Sequence, residues 1–212
     1  MPAVGSNETR IRLVGFTLIE VVVALAVILI LAAVALPNVT GFLDQKRIDA
    51  TATQLTNVRD ALYDNTKGAN AFFQKVGANA GRLSELDSVI IQGNASYATG
   101  TDNSCGGTFA KGDLNGWNAN GPFMTYNSDR ATGMMTPVGQ AEDSLTRIPN
   151  SANPGVLRLN FLNNVSLTDA QMLDATMDAG NGFNTGIVQW APLNGTNGIV
   201  TLYYFVTINN SC

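Results

Sequence analysis

From Phe16 to Leu36 every residue is apolar except Thr17 and Glu20. As an α-helix, at about 1.5 Å per residue, this run reaches roughly 31 Å, the thickness of a bilayer's hydrocarbon core. It also accounts for a composition with 45% hydrophobic and only 13% charged residues. Arg10 and Arg12 lie just before it. Basic residues on that side predict a cytoplasmic N-terminus, with the rest of the chain on the far side of the membrane.

Three accounts of the run compete. A secretory signal has a shorter apolar region followed by a small-x-small cleavage site, and Ala32-Ala33-Val34-Ala35 offers one. A plain membrane anchor explains the length and the flanking arginines. It leaves Glu20 unexplained, because a carboxylate at the edge of an apolar span costs a few kcal/mol and usually marks a function. The third account explains both. The run Gly15-Phe16-Thr17-Leu18-Ile19-Glu20, followed in register by the apolar stretch, resembles the processing motif of type IV pilins and type II secretion pseudopilins. Pro37 falls where that family commonly carries a proline.

The resemblance implies a leader, residues 1–15, removed by a prepilin peptidase that cuts between Gly15 and Phe16 and then methylates the Phe16 amine. It implies assembly through the N-terminal helix, with Glu20 pairing a neighbour's N-terminus. The implied partners are copies of the chain, other pilin-like subunits, the peptidase, an inner-membrane assembly platform and, before assembly, the lipid bilayer. The implied location is the bacterial inner membrane for a single-pass precursor, then a periplasmic or extracellular filament. The energetics show why such a pair sets register. A buried carboxylate and a buried ammonium are each costly alone, and pairing removes both penalties at one axial offset only. Glu20 in a first helical turn also favours the helix dipole, whatever its partner.

Beyond Leu36 the helix is expected to continue over 37–63. Ile48, Ala52, Leu55, Val58 and Leu62 recur at helical spacing, with Asp44, Lys46, Arg47, Asp49 and Arg59 between them. Pro37 and Gly41 weaken the helix and suggest either a kink or a gentle bend at 37–41. Residues 64–212 read as a globular head. Asn65–Gly68 is the helix exit, Phe72 and Phe73 are core anchors, and Arg82–Leu86 is a short helical turn leading to Val89–Ile91. The Gly/Asn/Ser/Thr-rich stretch Gly93–Gly121 reads as a long surface loop. Strands are expected at Val156–Phe161, Gly186–Trp190 and Gly198–Ile208, with Gly195–Gly198 turning the last two into a hairpin and Phe123–Tyr126 as a fourth. Helix first and strands later is an α+β order: a pilin-like long helix packed on a C-terminal antiparallel sheet of about three or four strands.

Chemistry is sparsely signalled. The chain has no histidine, which removes the commonest general base and metal ligand. Net charge is −4, and without residues 1–15 the count is 10 basic against 15 acidic side chains. No Lys/Arg cluster argues for nucleic acid. No Ser, Cys or Thr has a recognisable base partner, so the chain does not read as an enzyme. Gly106-Gly107 lacks a P-loop lysine. Cys105 and Cys212 have no CxxC spacing; they are read as one disulfide in an oxidising compartment, or as two unpaired thiols. Asp169 opens a short helix to Met177; Asp174 within it, and Asp178 and Asn181 after it, are candidate calcium ligands or solvated loop acids. Gly116-Trp117 and Gly121-Pro122-Phe123 weakly resemble a tryptophan-and-proline loop of major pseudopilins, or supply an aromatic cover for a sheet edge. The alternative to a filament subunit is a membrane-anchored periplasmic binding module or enzyme whose helix is only a tether.

Overall fold

Helix α1 (Leu18–Leu62) is one run of 45 residues. The computed structural model describes residues 16–62, 72–87, 104, 109, 111–148, 156–162, 165–193 and 198–207. Contacts divide the chain after Leu43, and the two units are taken separately.

Among the described residues of the first unit, α1 buries none of its side chains. Its large apolar side chains from Leu18 to Val34, and again at Val39 and Leu43, are all exposed. In the second unit the same helix is one-sided. Ile48, Thr51, Leu55, Val58 and Leu62 are buried, at spacings of 3, 4, 3 and 4, which is one stripe of an α-helix. Thr51 takes the place expected of Ala52, which is only half-buried. Its hydroxyl is satisfied by donating to Arg47 O at 3.0 Å, so a polar residue fits the stripe without an orphaned group.

That stripe joins a core built on a six-stranded antiparallel sheet, where three or four strands were expected. The strands are β1 (Met134–Thr136), β2 (Gly139–Ile148), β3 (Val156–Phe161), β4 (Val165–Ser166), β5 (Val188–Pro192) and β6 (Ile199–Thr207). Strands β1, β2, β3 and β6 are neighbours in that order. Tyr204 pairs with both Leu159 of β3 and Val188 of β5, and Val200 with both Val165 of β4 and Pro192 of β5. Strands β3 and β4 therefore lie end to end along one side of β6, and β5 forms the edge on the other. Alternation sets the faces. Leu157, Leu159 and Phe161, with Val200, Leu202, Tyr204 and Val206, point into the core. The opposite face carries Arg158, stacked 5.0 Å from the Tyr203 ring centre, and Asn160, bonded to Glu142.

The expected strands at β3, β5 and β6, the hairpin pairing of β5 with β6, and the short helices α3 (Ser84–Asp87) and α5 (Leu167–Met177) are present. The expected core anchors begin a further helix, α2 (Phe72–Val76), in which Phe72 is buried and Phe73 half-buried. Two expectations are corrected. Phe123–Tyr126 is not a strand. The amides of Phe123 and Met124 both donate to Leu86 O, and the Phe123 ring stands edge-on to Phe72 and Trp117, so the segment is held by aromatic packing instead of a ladder. The stretch up to Gly121 is not all loop, because Lys111–Asn120 is helix α4. Its glycines and asparagines are poor helix formers, and tertiary contacts supply what propensity lacks. Trp117 is buried with Nε1 donating to Glu85 O at 2.6 Å. A Cβ at Gly116 would stand 2.1 Å from Lys75 O, so only glycine lets α4 approach α2 this closely.

Asp143, buried on β2, ties these pieces together. It accepts from the Ser84 amide (2.7 Å), the Ser84 hydroxyl (2.9 Å) and the Ser128 hydroxyl (3.2 Å), and pairs with Arg82 at 3.5 Å. The segments expected at Asn65–Gly68, Val89–Ile91 and residues 195–197 lie outside the described residues, as do Cys105 and Cys212.

Candidate processing and assembly segment

Phe16 and Thr17 precede the helix and are exposed. Thr17 O accepts the first helical bonds, from the amides of Glu20 (3.1 Å) and Val21 (3.3 Å). The Thr17 hydroxyl also receives the Glu20 amide, at 3.3 Å. Thr17 is thus the N-cap, and Thr17-x-x-Glu20 has the spacing of a capping box. This role was missed in the sequence, although the T-x-x-E pattern before an apolar run is its ordinary signal. Glu20 stands in the first turn, where the positive end of the helix dipole favours a carboxylate. The segment is therefore an exposed apolar cylinder with a single acid near its start. Among the described residues no single helix is long and apolar enough to cross a membrane. Leu18–Val34 and Val39–Leu62, taken as a bent pair, meet the requirement of length and composition. The break between them covers 35–38, which include Pro37. Gly15 lies outside the described residues.

The calcium candidates come together around the exit of α5. Among the described residues no group of three or more Asp, Glu, His or Cys could hold a metal ion. What the acids do here is organise backbone. Asp174 is buried, and its Oδ2 accepts from the Gly182 amide at 3.2 Å, while Oδ1 has no partner. Asp178 Oδ2 accepts from the amides of Ile187 (2.5 Å) and Val188 (3.3 Å). Asn181 accepts from the Thr185 hydroxyl through its backbone and side-chain oxygens. Gly186 has φ +82°, and a Cβ there would fall 1.6 Å from Asp178 Oδ2, so glycine is required. The same contacts close the β5 edge. Ile187 O is taken by the Phe205 amide, so the Val188 and Trp190 amides face away from β6. Asp178 takes the first and Phe183 O the second, at 3.0 Å, and Pro192 has none to offer. An edge with every outward donor used is a poor template for strand addition.

Trp117 and Phe123, weighed above as a surface loop or a sheet cover, belong to an aromatic cluster with Phe72 and Phe109. The polar cleft at Gln54, Asp87 and Tyr126–Asp129 has a volume of about 640 Å³ and is open to solvent. Asp129 is engaged in its own turn through Oδ1. Backbone donors at Ala131 and Thr132 hold its carboxyl below the usual range.

Residues 15–36 match the family described as the prokaryotic N-terminal methylation motif. That motif, a prepilin-type cleavage and methylation signal, is typical of type IV pilins and type II secretion pseudopilins. No solved structure matches the chain.

Proposed function

We propose, on the premise that residues 15–36 carry the prokaryotic N-terminal methylation motif, that the chain is a structural subunit of a type IV pilus or type II secretion-like filament. It is cut after Gly15, methylated at Phe16, and polymerises through its N-terminal helix, with Glu20 pairing a neighbour's N-terminus. The observation that supports this reading is the coincidence of the motif with a helix segment whose large apolar side chains from Leu18 to Val34 stand exposed. Such a surface needs lipid first and other helices later. Proteins with this motif are generally structural and not catalytic. The precursor is held in the inner membrane with residues 1–15 on the cytoplasmic side.

Intact-mass spectrometry of membrane or sheared-filament material tests the reading. The expected chain begins at Phe16 and carries one added methyl group. A Glu20→Ala variant is expected to be cut but to assemble poorly. A chain still starting at residue 1, or cut near Ala35, overturns the proposal. A Glu20→Ala variant that behaves like the parent favours the helix as a mere tether for a periplasmic module.

A further inference from the structure

We infer that Asn181–Gly182 is a self-modifying site, at which the Gly182 amide nitrogen closes on the Asn181 side chain and converts it to aspartate or isoaspartate. Asn181 is exposed in the loop after α5, and the residue that follows it has no side chain to hinder the approach. Gly182 has φ +106°, and a Cβ there would meet only open space. The attacking nitrogen and Asn181 Cγ belong to adjacent residues and close a succinimide ring, so the chain itself holds them together. Two partners distinguish this pair. Asp174 Oδ2 accepts from the Gly182 amide at 3.2 Å, within the reach of a general base, and Asp174 is 2% exposed with no partner on Oδ1. The Thr185 hydroxyl, which donates to Asn181 O at 2.8 Å, also lies 3.3 Å from Asn181 Oδ1, the atom on which negative charge grows as the ring closes. A hydroxyl rotates to serve either oxygen. Asp174 takes the amide proton as Gly182 N bonds to Asn181 Cγ. The Cγ–Nδ2 bond then breaks, and Nδ2 leaves as ammonia, carrying that proton. Water opens the succinimide at either carbonyl, giving aspartate or isoaspartate. The Asn-Gly pairs of α4 lack this setting. Asn115–Gly116 lies inside the helix, and the Gly121 amide after Asn120 donates at 2.7 Å to Trp117 O, a carbonyl that takes no proton.

The test incubates the full-length chain, folded in detergent micelles or unfolded in concentrated urea. Replacement of amide by acid is followed by mass in a peptide map, and isoaspartate is scored by enzymatic methylation. The map scores Asn115, Asn120, Asn194 and Asn197, which also precede glycine, apart from Asn181. Asn181 is expected to convert faster in the folded chain than in urea, and faster than Asn115 and Asn120 of the same sample. Asp174 replaces hydroxide as the base, so the folded rate is expected to stay level between about pH 6 and 8, while the rate in urea climbs with hydroxide. Asp174→Asn is expected to slow the reaction roughly a hundredfold, the lower end for a positioned base. Because Asp174 is buried, that variant is read beside one on the surface. Thr185→Val is expected to slow conversion about tenfold, less than a buried oxyanion donor supplies, because Thr185 is exposed. Thr185→Ser is expected to match the parent. A folded rate no faster than that in urea overturns the inference. So does a folded rate that tracks hydroxide, or a Thr185→Val or folded Asp174→Asn chain as fast as the parent.

Discussion

Residues 18–43 and 44–62 share one helical backbone assignment and have opposite surroundings. Sixteen of the twenty large apolar side chains that stand exposed among the described residues fall in the first unit, so exposure there is the rule and not scatter. In the second, apolar residues fall on one stripe and disappear into the core. The difference lies in spacing. An unbroken apolar run gives a helix no inside, whereas a 3-4-3-4 stripe separated by charges does. Leaving a large apolar side chain in water forgoes about 1.5–3 kcal/mol of burial. Repeated sixteen times, that exceeds the whole stability of an ordinary domain. The first stretch therefore depends on something outside the subunit, and the second on its own fold.

The sharpest way to break this comparison is a matched pair of truncations. Leu55 is fully buried, while Leu25 is 55% exposed. Leu55→Ala is expected to destabilise the head by about 2–5 kcal/mol, the range for a buried leucine. Leu25→Ala should stay within about 0.5 kcal/mol. Denaturant unfolding in detergent, followed by fluorescence, reads the head, because Trp117 and Trp190 are both buried in the second unit. Equal losses at the two positions would show that the first stretch also belongs to the cooperative core.

Alkaline pH offers a second, smaller test within the second unit. Tyr204 is fully buried on β6 and its hydroxyl has no partner. Burial pushes its pKa up to about 12 from an ordinary 10.0, with the nearby Arg59 charge opposing and Asp60 adding to the shift. The folded state thus holds this proton more tightly than the unfolded chain does. Its contribution is complete below pH 10 and is lost as pH rises towards 12, by about 2–3 kcal/mol in all. Tyr204→Phe is expected to remove that part of the alkaline loss, and to be neutral or slightly stabilising at pH 7, since it deletes an orphaned polar group. An unfolding series from pH 8 to 12 on both proteins checks it.

The β5 edge ranks next. Asp178→Ala leaves the Ile187 and Val188 amides without their acceptor, and is expected to cost about 1–2 kcal/mol. It also uncovers the outward-facing Val188 amide, one of the two outward donors of β5. A rise in self-association of the head under native conditions, by light scattering, is the accompanying sign. Unchanged scattering with the expected loss of stability would confine Asp178 to holding its loop.

What could be read from the chain follows the same division. The segment from Gly15 to Leu36 needs no tertiary context, because its signal is local: a motif, an apolar run and one acid. Strand β3 was legible from alternation, and β6 from its run of β-branched and aromatic residues, Val200 to Val206. Strand β2 was not, because its buried face reads Ala141, Asp143, Leu145, and the buried acid breaks the pattern until its partners Ser84, Ser128 and Arg82 are known. Helix α4 was hidden for the converse reason, since local propensity argues against it and a distant contact with Glu85 argues for it. Strands β1 and β4, of three and two residues, are too short to show alternation at all. The acids after α5 were legible as oxygen donors. Their use as acceptors for Gly182, Ile187 and Val188 depends on a loop path that residue types alone leave open.

The smallest expected effect concerns Arg47, just inside the second unit and one residue before the buried stripe begins. Its guanidinium donates to Pro137 O through Nε and Nη2, both at 3.3 Å, and pairs with Asp44 at 3.2 Å and Asp169 at 3.3 Å. It thus links α1 to the β1–β2 turn and to the first turn of α5. The side chain is 43% exposed, so solvent and salt screen most of the charge. Arg47→Ala is expected to cost no more than about 1 kcal/mol, less at 1 M salt than at low ionic strength. Arg47→Lys should recover only part of it, because a point charge cannot reproduce the fork that reaches a carbonyl and a carboxylate together. Unfolding at both salt concentrations measures the three proteins. A loss well above 2 kcal/mol that persists at high salt would mean that this polar clamp, more than the spacing of Ile48, Thr51, Leu55 and Val58, decides where the helix becomes part of the head.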